Sequence, residues 1–191
     1  MFMHLARDAF ALMSGILAII HPNQYDMARL VKDHLLKTST KCAPALKQWS
    51  SVYTAVTMIA NRQSPAHRDT GSRTEWYDML TSVGKFEEAP LSLGPIGILI
   101  SNPPGTVSAF SGMAFSHSVQ EIDHPRLSIA LYLRENMQDF AGCDPAGWMT
   151  QMHYEQLIGP KRGCLRAMPF HVTEDEIRKL VDSLDRAGIS K

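Results

Sequence analysis

From Leu5 to Ile20, and again from Asn23 to Lys37, apolar residues recur at helical spacing, with Leu30, Val31, His34 and Leu35 gathered on one side of the second segment. The pattern predicts two amphipathic helices joined at His21-Pro22-Asn23. The period changes at Ser51: the run to Ala60 is rich in β-branched residues and free of Gly and Pro, which predicts a strand. A polar, turn-rich segment from Asn61 to Arg73 follows, then a predicted short helix from Thr74 to Val83, with Thr74 as its N-cap ahead of Glu75. Short β-like runs come next, at Pro90 to Leu93, Ile96 to Ile100, Thr106 to Phe110, Ala114 to Val119 and Arg126 to Leu133, separated by Gly, Pro, Asn and Asp. That rhythm predicts an antiparallel sandwich or barrel. The last third is punctuated by Gly142, Pro145, Gly147, Gly159, Pro160 and Gly163 before a terminal amphipathic helix from Thr173 to Ala187, where Thr173 and Glu176 make a capping-box pattern. There is no internal repeat and no long linker, so the expectation is one domain over residues 1–191: a helical part (1–50), a β core (51–137) and a C-terminal extension (138–191). The expected class is mainly β with flanking helices.

Composition narrows the picture. With 45% hydrophobic and 20% charged residues the chain reads as a soluble globular protein, neither disordered nor fibrous. Its 19 basic and 19 acidic residues cancel, so contact with nucleic acid or an acidic membrane has to come from a local patch. The apolar run Ala9 to Ile20 is shorter than the roughly 20 residues a membrane crossing needs. His4, Arg7 and Asp8 mix charge signs and no small-residue cleavage site follows, unlike a secretory signal. Cys42, Cys143 and Cys164 are odd in number and contain no Cys-x-x-Cys pair, which points away from a disulfide framework and a cysteine zinc site, and toward a reducing, intracellular compartment. The 11 methionines read as core filler.

The candidate chemistry starts at His67-Arg68-Asp69, where an imidazole and a carboxylate two residues apart would share one face of a strand and converge on a cation. A His followed two places later by an acid occurs about once by chance in a chain of this composition, and His153-Tyr154-Glu155 is a second instance. What distinguishes the first is its sequel. His117 lies in a strand-like run, and Arg126-Leu127-Ser128 opens the next strand; as hairpin neighbours, these strands would bring Arg126 beside whatever binds at His117. His67, Asp69 and His117 would then form the two-His, one-carboxylate face of a non-haem Fe(II) oxygenase, with positions left open for co-substrate and dioxygen. An anionic chelator such as 2-oxoglutarate suits that cationic centre, and Arg126 with Ser128 would hold its far carboxylate.

This spacing resembles the Fe(II)/2-oxoglutarate dioxygenases with a double-stranded β-helix core. More narrowly, Asn61 to Asp69, Glu75-Trp76-Tyr77-Asp78, Pro103-Pro104-Gly105-Thr106-Val107, His117 and Tyr132-Leu133-Arg134-Glu135-Asn136 resemble the TET/JBP-like branch, its fungal members above all. The resemblance covers roughly Val52 to Met137. It implies a jelly-roll (cupin-like) core, iron ligands at His67, Asp69 and His117, 2-oxoglutarate held by Arg126 and Ser128, and Asn61 near the co-substrate. It also implies oxidation of the methyl group of 5-methylcytosine in DNA, with succinate as co-product, a role in DNA demethylation and a nuclear location.

Plainer readings stand beside these. His67 pairs locally with Asp69 as a surface residue, and His117 is a satisfied core histidine. Arg62, Arg68 and Arg73 hold phosphates beside a flipped base or simply form a solvated loop. Trp76 and Tyr77 stack on a base or belong to the core. Lys161, Arg162 and Arg166 form an exposed basic tail. At the level of function, the alternatives are a catalytically silent relic or nucleic-acid-binding module with the same fold, or an oxygenase acting on N6-methyladenine, RNA, protein or a small molecule.

Overall fold

The computed structural model of the protein describes residues 6–120 and 122–150. The predicted terminal helix, the His153-Tyr154-Glu155 triplet, Cys164 and the basic cluster Lys161, Arg162 and Arg166 lie outside the described residues. Two helices come first, α1 (Arg7–Ile20) and α2 (Pro22–Thr38), with His21 alone between them. The break is sharp because Pro22 occupies the first turn, where its missing N–H is not needed, while His21 Nδ1 accepts a hydrogen bond from the Gln24 N–H at 3.3 Å. Phe10, Met13 and Leu17 are buried from α1, and Tyr25, Ala28, Val31 and Leu35 from α2. A short helix not anticipated from the sequence, α3 (Ala43–Gln48), leads into the β part. Among the described residues, no helix is long and apolar enough to cross a membrane.

Eight strands follow: β1 (Ala55–Ala60), β2 (Ser64–His67), β3 (Asp78–Gly84), β4 (Leu91–Leu93), β5 (Ile98–Ile100), β6 (Val107–Phe110), β7 (His117–Val119) and β8 (Arg126–Tyr132), then helix α4 (Glu135–Ala141). Every pairing is antiparallel. One sheet has the order β1-β8-β3-β6 and the other β2-β7-β4-β5. This alternation of strand pairs between two sheets is the jelly roll, or double-stranded β-helix. Fold class and core type are therefore as the sequence predicts: mainly β, with flanking helices.

The larger sheet is two-faced. Along β8, Arg126, Ser128, Ala130 and Tyr132 point into a cavity, while Ile129, Leu131 and then Leu133 are buried on the other side, with Met79 of β3 opposite Leu131. Hydrogen bonds tie the helices to the segments that lead into this sheet. The Gln24 side chain donates to the Tyr77 carbonyl at 2.9 Å and accepts the Tyr77 N–H at 2.8 Å; His21 Nε2 lies 3.2 Å from the Glu75 carbonyl; and Ser14 Oγ meets Ser51 Oγ at 3.1 Å. A smaller apolar cluster of Leu91, Leu93 and Phe110, with Leu80, Ile100, Phe115 and Val119 against it, joins the two sheets.

Three expectations are corrected. Residues 74–83 do not form a helix: Thr74 Oγ1 bonds to the Glu75 carboxylate, and the chain enters β3 at Asp78. This strand lies between β8 and β6 and is buried at most positions on both faces, so it lacks the alternation that identifies a strand. Within the segment expected to be only turns, Ser64 to His67 forms β2, which tolerates Pro65 because it is an edge strand. Finally, β7 and β8 are not hairpin neighbours. β7 pairs with β2 and β4, whereas β8 pairs with β1 and β3 in the opposite sheet.

Candidate active site

The mispaired hairpin does not separate the candidate residues, because both sheets line one cavity of about 260 Å³ between them. His67, Asp69 and His117 reach it from the smaller sheet, and Arg126 and Ser128 from the larger. His67 closes β2 and His117 opens β7, and the two are register partners with ring centroids 4.3 Å apart. Asp69 lies beyond the end of β2 instead of inside it, yet its Oδ1 is 3.6 Å from His67 Nε2 and its Oδ2 is 3.7 Å from His117 Nε2. One donor atom from each of the three residues falls within 4.8 Å of the others.

The protonation pattern suits a cation. His67 Nδ1 is 2.7 Å from the Pro65 carbonyl and His117 Nδ1 is 3.0 Å from the Phe115 carbonyl, so each ring is oriented by the carbonyl two residues before it. A carbonyl accepts only, so Nδ1 carries a hydrogen in each ring, and Nε2 is the nitrogen turned toward the carboxylate and open to a cation. Burial lowers the pKa of His117, a change opposed by the Phe115 hydrogen bond and the neighbouring Asp69, and reinforced by His67. The neutral, ligating form is favoured. Two neutral imidazoles and one carboxylate fit Fe(II), and they leave it net positive.

Arg126 fits an anion. The residue is 3% exposed; its Nη2 donates to the Arg62 carbonyl at 2.7 Å, but Nε and Nη1 are buried with no hydrogen-bond partner among the described residues. Burial lowers its pKa, although a guanidinium remains charged. Buried, charged donors without acceptors are costly, and a carboxylate in the cavity would satisfy them. Ser128 faces the same space, with its Oγ bonded at 2.8 Å to Ser82 Oγ of β3. Gly84 allows β3 to pass this point: a Cβ there would meet the Pro125 carbonyl at 2.0 Å, just before Arg126.

The remaining candidates divide. Asn61, at φ 49°, donates its N–H to the Arg126 carbonyl and accepts the Arg126 N–H on Oδ1, both at 2.8 Å, which extends the β1–β8 ladder by one pair. It therefore positions Arg126 through the backbone. Arg62 and Arg68 are exposed, and Arg68 lines the cavity. Arg73 is engaged elsewhere, with Nη2 at 2.8 Å from Glu135 Oε1. Trp76 is fully buried, and its Nε1 donates to the Ala146 carbonyl at 3.0 Å, so it is core and cannot stack on a base. Tyr77 packs edge-on against His21.

Sequence reasoning missed Tyr132 and Arg134, which also line the cavity. The Arg134 guanidinium lies 4.6 Å from the centre of the Tyr132 ring and donates to the Thr70 carbonyl at 2.6 Å, while Tyr132 OH meets Thr57 Oγ1 at 3.0 Å. Their signal was available: 126, 128, 130, 132 and 134 form a single period-two series.

Among curated proteins none matches. Solved structures similar to this chain include NgTET1 in complex with 5mC DNA (18% identity, 54% of this chain and 41% of that one, TM-score 0.44). They also include an RmlC-like cupin protein from Desulfovibrio desulfuricans (13% identity, 40% and 71%, TM-score 0.28) and the polyketide cyclase RemF from Streptomyces resistomycificus (17% identity, 58% and 72%, TM-score 0.30). The chain thus spans well under two thirds of the NgTET1 chain. The family model Tet_JBP, described as the oxygenase domain of the 2OGFeDO superfamily, matches residues 2–135, well over half of the sequence, and the chain belongs to that family.

Proposed function

We propose that the protein is an Fe(II)/2-oxoglutarate-dependent dioxygenase that oxidises the methyl group of a methylated nucleobase, with 5-methylcytosine in DNA as its substrate. One observation carries the reading: a His-Asp-His donor set and a buried guanidinium with unsatisfied donors share one cavity, delivered by opposite sheets of a jelly roll. Family membership supports it. Kinship with fungal members of the branch, a part in DNA demethylation and a nuclear location belong to the same reading.

His67, Asp69 and His117 would hold the iron, and Arg126 and Ser128 the distal carboxylate of 2-oxoglutarate. When bound, Fe(II) and 2-oxoglutarate supply O₂-dependent oxidation of a C–H bond to C–OH, with release of CO₂ and succinate. The chain's own residues prepare that chemistry. The Pro65 and Phe115 carbonyls fix the two imidazoles, and Asn61 and the Arg62 carbonyl hold Arg126 at its backbone and at Nη2. Leu80, Leu91 and Val119 give the cavity an apolar wall that limits water. A base in a duplex reaches such a cavity only by flipping out of the stack, and the exposed Arg62 and Arg68 are placed to neutralise phosphates beside it.

The test is succinate formation by the purified protein with Fe(II), ascorbate and 2-oxoglutarate on duplexes carrying 5-methylcytosine, N6-methyladenine or no methyl group. Succinate is expected to depend on 5-methylcytosine and to fall to background in Asp69→Ala. Dependence on N6-methyladenine would replace the substrate while keeping the enzyme. Equal background signal on every duplex, with and without Asp69, would overturn the proposal in favour of a silent relic or an oxygenase of another substrate.

A further inference from the structure

Next to Asp69 lies a buried acid that the proposed reaction leaves unused. Asp78, the first residue of β3, is 1% exposed; its Oδ2 accepts the Gly112 N–H at 3.0 Å, and its Oδ1 has no partner among the described residues. Gly112 in turn accepts the Asp69 N–H on its carbonyl, also at 3.0 Å. A Cβ built on Gly112 would stand 2.3 Å from Asp69 Oδ2 and 2.6 Å from Asp78 Oδ2. Two carboxylates from different segments therefore close on one buried glycine. Its backbone conformation is open to any residue, since Gly112 is absent from the positive-φ positions; the space itself is what excludes a side chain.

Asp69 needs such help. His67 and His117 are held in register by the β2–β7 pairing, but Asp69 follows the end of β2 and has no place in that ladder. Its backbone bond to Gly112 and the room beside Gly112 fix where its carboxylate can point. We propose that Asp78 and Gly112 are positioning residues for Asp69: Asp78 fixes Gly112, and Gly112 both anchors the Asp69 backbone and leaves the space from which its carboxylate faces His67 and His117. This inference rests on the metal site proposed above. Partners that orient a ligand typically change metal affinity by about 10–100-fold when removed.

The experiment is a Co(II) titration of the full chain, followed by visible absorption, beside thermal unfolding of the metal-free protein. Gly112→Ala, which pushes on Asp69 Oδ2, and Asp78→Leu, which removes the acceptor, are expected to weaken Co(II) binding by at least ~10-fold and to alter its spectrum. Asp78→Asn keeps an acceptor oxygen in place and is expected to bind within about two-fold of the parent. Asp78→Leu also leaves the buried Gly112 N–H without its acceptor, so its melting temperature is expected to fall as well; the altered Co(II) spectrum, which a role in folding alone would leave parent-like in the folded protein, separates the two. If Asp78→Leu does not fold, Gly112→Ala and Asp78→Asn carry the comparison. Parent-like affinity and spectrum in Gly112→Ala, or a loss in Asp78→Asn as large as in Gly112→Ala, would overturn the inference. A parent protein that binds no Co(II) would instead overturn the metal site itself.

Discussion

The two sheets of the jelly roll are built to different standards. In the larger one, β3 and β8 are seven-residue strands paired with each other and each with a further strand. In the smaller one, β4, β5 and β7 are three residues long, β2 is four, and the β2–β7 register shifts between Ser64 and His67. The candidate co-substrate residues sit on the long, doubly paired strand β8, and the candidate metal ligands on or just beyond the short strands. Stiffness at Arg126 comes from the ladder, whereas order at Asp69 has to come from individual hydrogen bonds. A site can thus draw one part of its geometry from a scaffold and another from a few local contacts.

The contrast is open to test by substitution. Trp76→Ala, at a fully buried residue two positions before β3 of the larger sheet, is expected to cost about 3–5 kcal/mol, read as a drop in the denaturant midpoint. Ile98→Ala on strand β5 of the smaller sheet, where the side chain is exposed, is expected to stay within about 0.5 kcal/mol, and equal costs would break the comparison. Arg126→Gln is expected to raise the KM for 2-oxoglutarate by about 10–100-fold, because a charge-assisted bond of roughly 1.5–3 kcal/mol is lost, with little change in melting temperature. Acid gives the smallest effect. Burial lowers the pKa of His21, opposed by its backbone hydrogen bonds, so the unfolded chain takes up a proton more readily than the folded one. That contribution is complete above the unfolded value of 6.5 and is lost as pH falls below it. The melting temperature should decline from neutral pH toward pH 5, and less steeply in His21→Asn, which cannot take up the proton.

What could be read from the sequence follows the same division. The helices α1 and α2, and strand β8, carry strong periodicity or β-branched content, and the predicted Arg126 to Leu133 run differs from the observed strand by one residue. The approach of His67, Asp69 and His117 to one another was legible, because these residue types are chemically distinctive and their spacing matches a known pattern. β3 was not, because burial on both faces erases alternation, and β2 was hidden by Pro65 and by its polar setting. The assumption that consecutive strands pair failed at β7 and β8, because in this jelly roll every consecutive pair of described strands except β4 and β5 falls in opposite sheets. Asp78 entered only as the last residue of the Glu75-Trp76-Tyr77-Asp78 motif and Gly112 not at all, since the positioning role proposed for them depends on a contact across 34 positions of sequence.

The pairing of His67 with His117 has a consequence for how the protein assembles. These residues are fifty positions apart, so the unfolded chain holds at most the local pair His67 and Asp69 of the three donors, and closing that loop carries an entropic cost. On the proposed reading, a divalent ion that needs all three groups would bind the native state alone and act as a clip between β2 and β7, raising the unfolding temperature as its free concentration rises. Iron supply would then govern how long the smaller sheet survives in the cell as well as whether the site turns over, and a chain starved of metal would fray first at the edge that bears His67.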